Sequence, residues 1–161
     1  MSLALVILLL VTVQRLGELV LARRNTALMM ARGAVEVAPG HYPLVVGLHA
    51  AWLAGLWWFG LERDVNLAWL AVFAVLQLLR VWVLVTLGPR WTTRIIVLPG
   101  APLVHAGPYR FLSHPNYYVV VGEIMVLPLV FGLVWYGVAF TVLNAAVLTI
   151  RITAENRALA R

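Results

Sequence analysis

Charge is almost missing from four long stretches of this chain, and a polypeptide with that pattern has few folds open to it. Apolar runs over residues 2–22, 43–61 and 66–87 are each about the 20 residues a helix needs to cross the hydrocarbon of a bilayer. A fourth, over 119–150, is too long for one helix, and Gly132 and Gly137 near its middle predict a tight helical hairpin with short arms. Inside lipid a backbone must satisfy its own N–H and C=O groups. The expected fold is therefore all-α, an integral-membrane bundle of about five transmembrane helices with the last two forming the hairpin. Composition agrees: 63% of the 161 residues are hydrophobic and 11% charged, too little polar surface for a soluble domain of this size. One domain over 1–161 is expected, with three spans over 1–90 and a loop, the hairpin and a C-terminal segment over 91–161.

The first apolar run lacks a basic leader and continues to Arg23-Arg24, as a retained anchor does and a cleaved signal peptide does not. Loop charges then alternate. Arg23, Arg24 and Arg32 follow the first span, and Glu62-Arg63-Asp64 the second. Arg90, Arg94 and Arg110 follow the third, the hairpin turn is uncharged, and Arg151, Arg157 and Arg161 follow the fifth. Positive loops stay inside, so the N-terminus is expected outside and the C-terminus in the cytoplasm, in a bacterial inner membrane. The net charge of +6 comes from twelve dispersed arginines with no basic run, which argues against nucleic acid. No cysteine is present, excluding disulfide and thiolate chemistry. His41, His49, His105 and His114 are scattered without metal-ligand spacing, so no metal site is expected.

Ionisable groups inside spans are costly and default to functional candidates. Here they are Arg15, Glu18, Arg80 and Glu123, joined by Gln77 and Asn144. Counted along their helices, all but Gln77 fall within about 12 Å of the same face. One polar pocket is expected there, with Arg80 and Glu123 paired across it and lining a substrate site. A local Arg15–Glu18 pair at i,i+3 is the plainer reading of those two.

Two polar clusters flank the hairpin. Residues 107–118 read GPYRFLSHPNYY: Gly107-Pro108 sets a turn, and Pro115 suits the first position of a helix. The free N–H groups of that helix favour an anionic ligand group, ringed by Tyr109, His114, Asn116 and Tyr117. Beyond the hairpin, Arg151 and Glu155 lie four apart on one helical face, brought back to the side of His114 and Tyr117. Separately, the first cluster also reads as an interfacial aromatic belt and the second as a surface salt bridge.

With these residues in hand the chain resembles the isoprenylcysteine carboxyl methyltransferase family of integral-membrane enzymes. The family pattern of Gly-x-Tyr, Arg-His-Pro-x-Tyr, a hairpin, then Arg and a Glu four residues on is met by Gly107-Pro108-Tyr109, Ser113-His114-Pro115-Asn116-Tyr117, Arg151 and Glu155. The likeness runs from about Trp91 to Arg161. It implies S-adenosyl-L-methionine as cofactor, held by Tyr109, His114, Pro115, Asn116, Tyr117 and Glu155. The stretch Ala101, Pro102, Leu103 and Val104 is implied as well, and Arg94 as a further contact. Arg151 would face the methyl acceptor and, with His114, carry the catalytic role. Arg80 and Glu123 would join Arg151 on the acceptor side. Ser113 stands in place of the usual Arg, Asn156 in place of a second Glu, and Ala101 where eukaryotic members carry His. The His-Pro-Asn-Tyr form is similar to bacterial members that methylate hydroxyls of alkylpyrone-type polyketide lipids.

The function expected is thus S-adenosylmethionine-dependent O-methylation of a carboxylate or acidic hydroxyl. The acceptor, prenylcysteine-like or alkylpyrone-like, would enter from the surrounding membrane lipids. The competing reading is a small membrane transport or scaffold protein without catalysis.

Overall fold

The computed structural model describes residues 2–159 and holds five helices: α1 (Leu3–Ala31), α2 (Tyr42–Gly60), α3 (Leu67–Leu87), α4 (Pro115–Val130) and α5 (Val134–Ala158). Four are long and apolar enough to cross a membrane, and α4 is a shorter apolar helix. Arg161, the last of the expected C-terminal cations, lies outside the described residues. Two short strands not anticipated from sequence, β1 (Val35–Glu36) and β2 (Ile96–Val97), pair antiparallel.

Helix boundaries follow local chemistry. The Ser2 hydroxyl accepts from the Leu5 N–H at the start of α1. Asn66 caps α3 by accepting from Ala68 and Trp69, while its own N–H donates to the Val130 carbonyl at the end of α4 (2.8 Å). One exposed loop residue so closes two helix ends. Pro128 inside α4 has no N–H to give the Ile124 carbonyl, and the Trp52 indole of α2 donates to that oxygen instead (3.2 Å).

The hairpin exists, tight as expected and with Gly132 in its turn, but only the α4 arm is short, at 16 residues against 25 for α5. Only residues 131–133 separate α4 from α5, with Gly132 at φ 68°, a conformation an L side chain resists. Gly137 sits inside α5, where a Cβ would lie 3.0 Å from the Met125 carbonyl oxygen, so it serves close packing and not the turn. The short α4, about 24 Å long, pairs with an α5 that runs on past Ile150 to Ala158. Likewise α1 continues beyond Arg23-Arg24 to Ala31, and the added turns carry Asn25.

The main core joins Leu8 and Val11 of α1, Trp52 and Leu56 of α2, Phe73 of α3, and Ile124, Leu127 and Tyr136 of the hairpin. Gly55 lacks the side chain that would strike Tyr136, whose hydroxyl donates to the Trp52 carbonyl (2.8 Å). A second cluster, Ala22, Val83, Trp91 and Val119, lies toward the end where α4 begins.

The intramembrane charges form a closed network. Glu18 accepts from Arg80, Arg15 and Gln14; Glu123 accepts from Arg80 (2.7 Å) and Gln77 and pairs with Arg15 (2.9 Å). Glu123 is 1% exposed. Arg80 and Glu123 do pair, as expected, but in a four-charge assembly whose carboxylates are already occupied. Removing one partner leaves a buried charge uncompensated. Glu123→Ala should cost about 3–5 kcal/mol, seen as a large drop in thermal unfolding midpoint in detergent, whereas Arg157→Ala at an exposed position should cost little.

Candidate functional site

Where α4 begins and α5 ends, the two helices and the segment after α3 enclose a cleft. Its walls include Trp91, Thr92, Arg94, Tyr109, Asn116 and Leu159 beside His114, Tyr117, Arg151 and Glu155. Every element contributes through a local cause. Pro115 opens α4 as its first residue and places Asn116 and Tyr117 in the first turn, with Tyr117 turned inward and Tyr118 64% exposed. Arg151 and Glu155, one helical turn apart on α5, face the same cleft.

Their side chains interlock. The Tyr117 hydroxyl donates to Glu155 Oε2 (2.5 Å) and accepts from Arg151 Nε (2.9 Å). The His114 ring stacks on Tyr117 at 5.4 Å between centroids. His114 Nε2 bonds Asn156 Oδ1 (3.0 Å), so Asn156 fixes the ring and leaves Nδ1 toward Glu155 (3.8 Å). Arg151 is 7% exposed, yet among the described residues it has no carboxylate within salt-bridge distance. Asn116 and Trp91, both lining residues, have buried side-chain atoms, Oδ1 and Nε1, without hydrogen-bond partners. A satisfied interior has few such atoms.

The opposite wall is held from a distance. Arg94 donates to Glu36 (2.7 Å) and lies over the Tyr42 ring (4.2 Å), and the Tyr42 hydroxyl meets Thr93. With the β1–β2 pair, these contacts strap residues 92–97 to the loop after α1. Asn25, on the unexpected extension of α1, donates to the Trp91 and Gly88 carbonyls (2.8 and 3.2 Å). Sequence reasoning missed Asn25, Glu36, Tyr42, Thr92 and Trp91. The signal that could have found Glu36 was its isolation: it is the one acidic residue in the first loop, against Arg94 of a loop on the same side.

Of the residues singled out from sequence, Arg94, Tyr109, His114, Asn116, Tyr117, Arg151 and Glu155 come together in the cleft. Pro115 is buried and sets the helix start. Ala101, Pro102, Leu103 and Val104 are not among its lining residues, though Arg90, which is, donates to the Pro102 carbonyl (2.6 Å). Arg80 and Glu123 lie outside it too, Arg80 bordering a separate groove between α1 and α3. The in-span charges expected to share one pocket do gather, Arg15, Glu18, Arg80 and Glu123 in one network, but that network is not part of the cleft lining.

Comparison with known proteins places the chain. The model of the isoprenylcysteine carboxyl methyltransferase (ICMT) family matches residues 69–161. The chain belongs to this family. The match begins earlier than the motifs suggested and takes in most of α3. A Bacillus subtilis (strain 168) protein, "Uncharacterized protein YpbQ", is 36% identical over 160 residues, covering 91% of this chain and 90% of that one. No solved structure matches. Membership and the apolar helices together make this an integral-membrane methyltransferase.

Gly107 anchors the cleft's outer turn at φ 52°, and a Cβ there would strike the Thr86 hydroxyl and come within 3.1 Å of the Trp82 indole nitrogen. Gly107→Ala should lower the unfolding midpoint and loosen the turn, read as faster proteolysis at 105–112. Gly40→Ala, with open space around it, should do neither.

Proposed function

We propose that the protein transfers the methyl group of S-adenosylmethionine to an acidic oxygen of a lipophilic acceptor, with the cleft on the cytoplasmic side of a bacterial inner membrane. The array of Tyr117, Glu155 and Arg151 carries this reading: an accessible carboxylate and an uncompensated guanidinium held on either side of one hydroxyl. Basic loops at the cleft end support the orientation.

The residues present fit the cofactor. Glu155, side chain 24% exposed, offers a carboxylate for its ammonium or ribose hydroxyls. Asn116 Oδ1 lacks a partner; Pro115 has no N–H and the Tyr117 N–H donates to the His114 carbonyl (3.0 Å), so the helix start offers a carboxylate chiefly its positive dipole end. Once bound, S-adenosylmethionine would supply an electrophilic methyl on a sulfonium, displaced in line with a neutral thioether as leaving group.

The protein's own task is alignment in a dry site, and such positioning can supply about 7–11 kcal/mol. Arg151 orients the acceptor's anionic oxygen. Tyr117 couples Arg151 to Glu155, so the two ligands are held in register through one hydroxyl. His114 Nδ1 takes the proton of an acceptor that arrives neutral. With Ser113 preceding His114, Arg94 committed to Glu36 and Arg90 donating to the Pro102 carbonyl, Arg151 is the buried cation suited to meet the acceptor. A single ionised oxygen suits it, and we favour an acidic enol of the hydroxypyrone kind over a carboxylate.

Purified protein incubated with labelled S-adenosylmethionine should label a long-chain hydroxypyrone in preference to a prenylcysteine analogue. Glu155→Ala and Tyr117→Ala should each lower turnover by about a hundredfold or more while the protein stays monodisperse. Near-normal turnover in both would overturn the assignment.

A further inference from the structure

The turn that leads into α4 is closed by its own hydrogen bonds. The Pro108 carbonyl accepts from both the Phe111 and the Leu112 N–H (3.2 Å each), and the Tyr109 N–H donates to the Ala106 carbonyl (3.1 Å). This unit is seated beside the last turns of α3 and not beyond them, since Gly107 lies against the side chains of Thr86 and Trp82. Trp82 stands five residues before the end of α3, about 7.5 Å along the axis. The turn is therefore at the membrane's edge, level with the end of a span.

Its two sides face different surroundings. Inward, Tyr109 lines the cleft, as does His114 just past the turn. Outward, Phe111 is 76% exposed, and Leu112, Trp82 and Tyr118 are exposed with it. In water such a patch would be a liability. At the boundary between acyl chains and headgroups it is where aromatic side chains settle. Arg110, next to Phe111, is exposed and has no side-chain hydrogen bond or ion pair among the described residues. Arg23, Arg24 and Arg32, at the same end of the bundle, are exposed and unpaired in the same way. The acidic residues described at this end are already engaged, Glu36 by Arg94 and Glu155 by Tyr117. Unpaired cations beside apolar side chains at a membrane edge complement anionic phospholipid headgroups.

We infer that residues 109–112 dock on the anionic headgroup layer of the leaflet at the cleft end, Phe111 and Leu112 reaching the acyl boundary and Arg110 meeting phosphate, and that this docking sets Tyr109 in the cleft. Because the turn is one hydrogen-bonded unit, lipid that holds Phe111 also holds Tyr109. A cleft wall ordered in advance spends less binding energy on ordering, so an anionic bilayer should tighten cofactor binding. The docking stands on the turn alone; its effect on the cofactor rests on the functional reading above.

The chain has no cysteine, so a fluorophore on Phe111→Cys reports the turn's surroundings. In vesicles of phosphatidylcholine mixed with phosphatidylglycerol, lipids carrying a nitroxide near the headgroup should quench it and aqueous iodide should not. Quenching by iodide would overturn the inference, as would shielding from both quenchers, the result if a second copy of the chain covered the turn. Arg110→Gln, at an exposed position, should keep the wild-type unfolding midpoint. On passing from phosphatidylcholine alone to the mixed vesicles, wild-type affinity for S-adenosylmethionine should gain about fivefold more than that of Arg110→Gln. A surface potential that merely gathers the cationic cofactor acts on both proteins alike, so equal gains would overturn the inference. Were the functional reading wrong, neither protein would bind S-adenosylmethionine in either vesicle, and the quenching at position 111 would still decide the docking.

Discussion

Hydrocarbon does not tolerate an unpaired charge, and most of this architecture is an answer to that constraint. Glu123, buried in α4, is met by Arg80 of α3 and Arg15 of α1, and Glu18 completes the set. Gln14 and Gln77 take up remaining oxygens. The network fixes the depth of α4 against two other helices. Tyr117 stands six residues earlier, about 9 Å along the axis. Placement of the cleft's first turn therefore depends on ion pairs that never touch a ligand.

The hairpin does the rest. Since only three residues join α4 to α5, the two helices run antiparallel in close register, and the longer α5 returns to the level where α4 starts. Small residues permit that closeness, Gly137 against the Met125 carbonyl and Gly122 against Leu76 of α3. Residues 38 apart in sequence then share a 2.5 Å hydrogen bond. Without water to hydrate loose ends, the freed Ile124 carbonyl and the last carbonyl of α4 also acquire partners, Trp52 and Asn66. The scaffold beneath the cleft is rigid for the same reason that it is membrane-soluble.

Much of this could be read from the letters, and what could not has a physical cause. Apolar run length gave five helices, and Pro115 gave the start of α4 to the residue. Spacing put Arg151 and Glu155 on one face, and the long last run implied a return toward His114 and Tyr117. Gly132 marks the hairpin turn as expected, whereas Gly137 marks a close contact inside α5, since a glycine can serve either purpose. Depth along a helix brought Arg80 and Glu123 into one network with Arg15 and Glu18, but depth says nothing of azimuth, and neither residue lines the cleft. Ala101 to Val104 followed from motif position alone, which does not report that this stretch would be joined to the cleft only through the bond from Arg90 to the Pro102 carbonyl. Glu36, Tyr42 and Asn25 come from loops and helix extensions whose meeting depends on tertiary structure.

The central claim is that the ends of α4 and α5 shape one ligand site on one side of the membrane. The chain has no cysteine, so single cysteines report cleanly. Labelling of Ser113→Cys and Leu159→Cys in oriented vesicles by a membrane-impermeant maleimide is the most direct measurement. Both should react from the same side, with S-adenosylmethionine slowing the Leu159→Cys reaction. Reaction from opposite sides, or a Leu159→Cys rate indifferent to S-adenosylmethionine, would contradict the account.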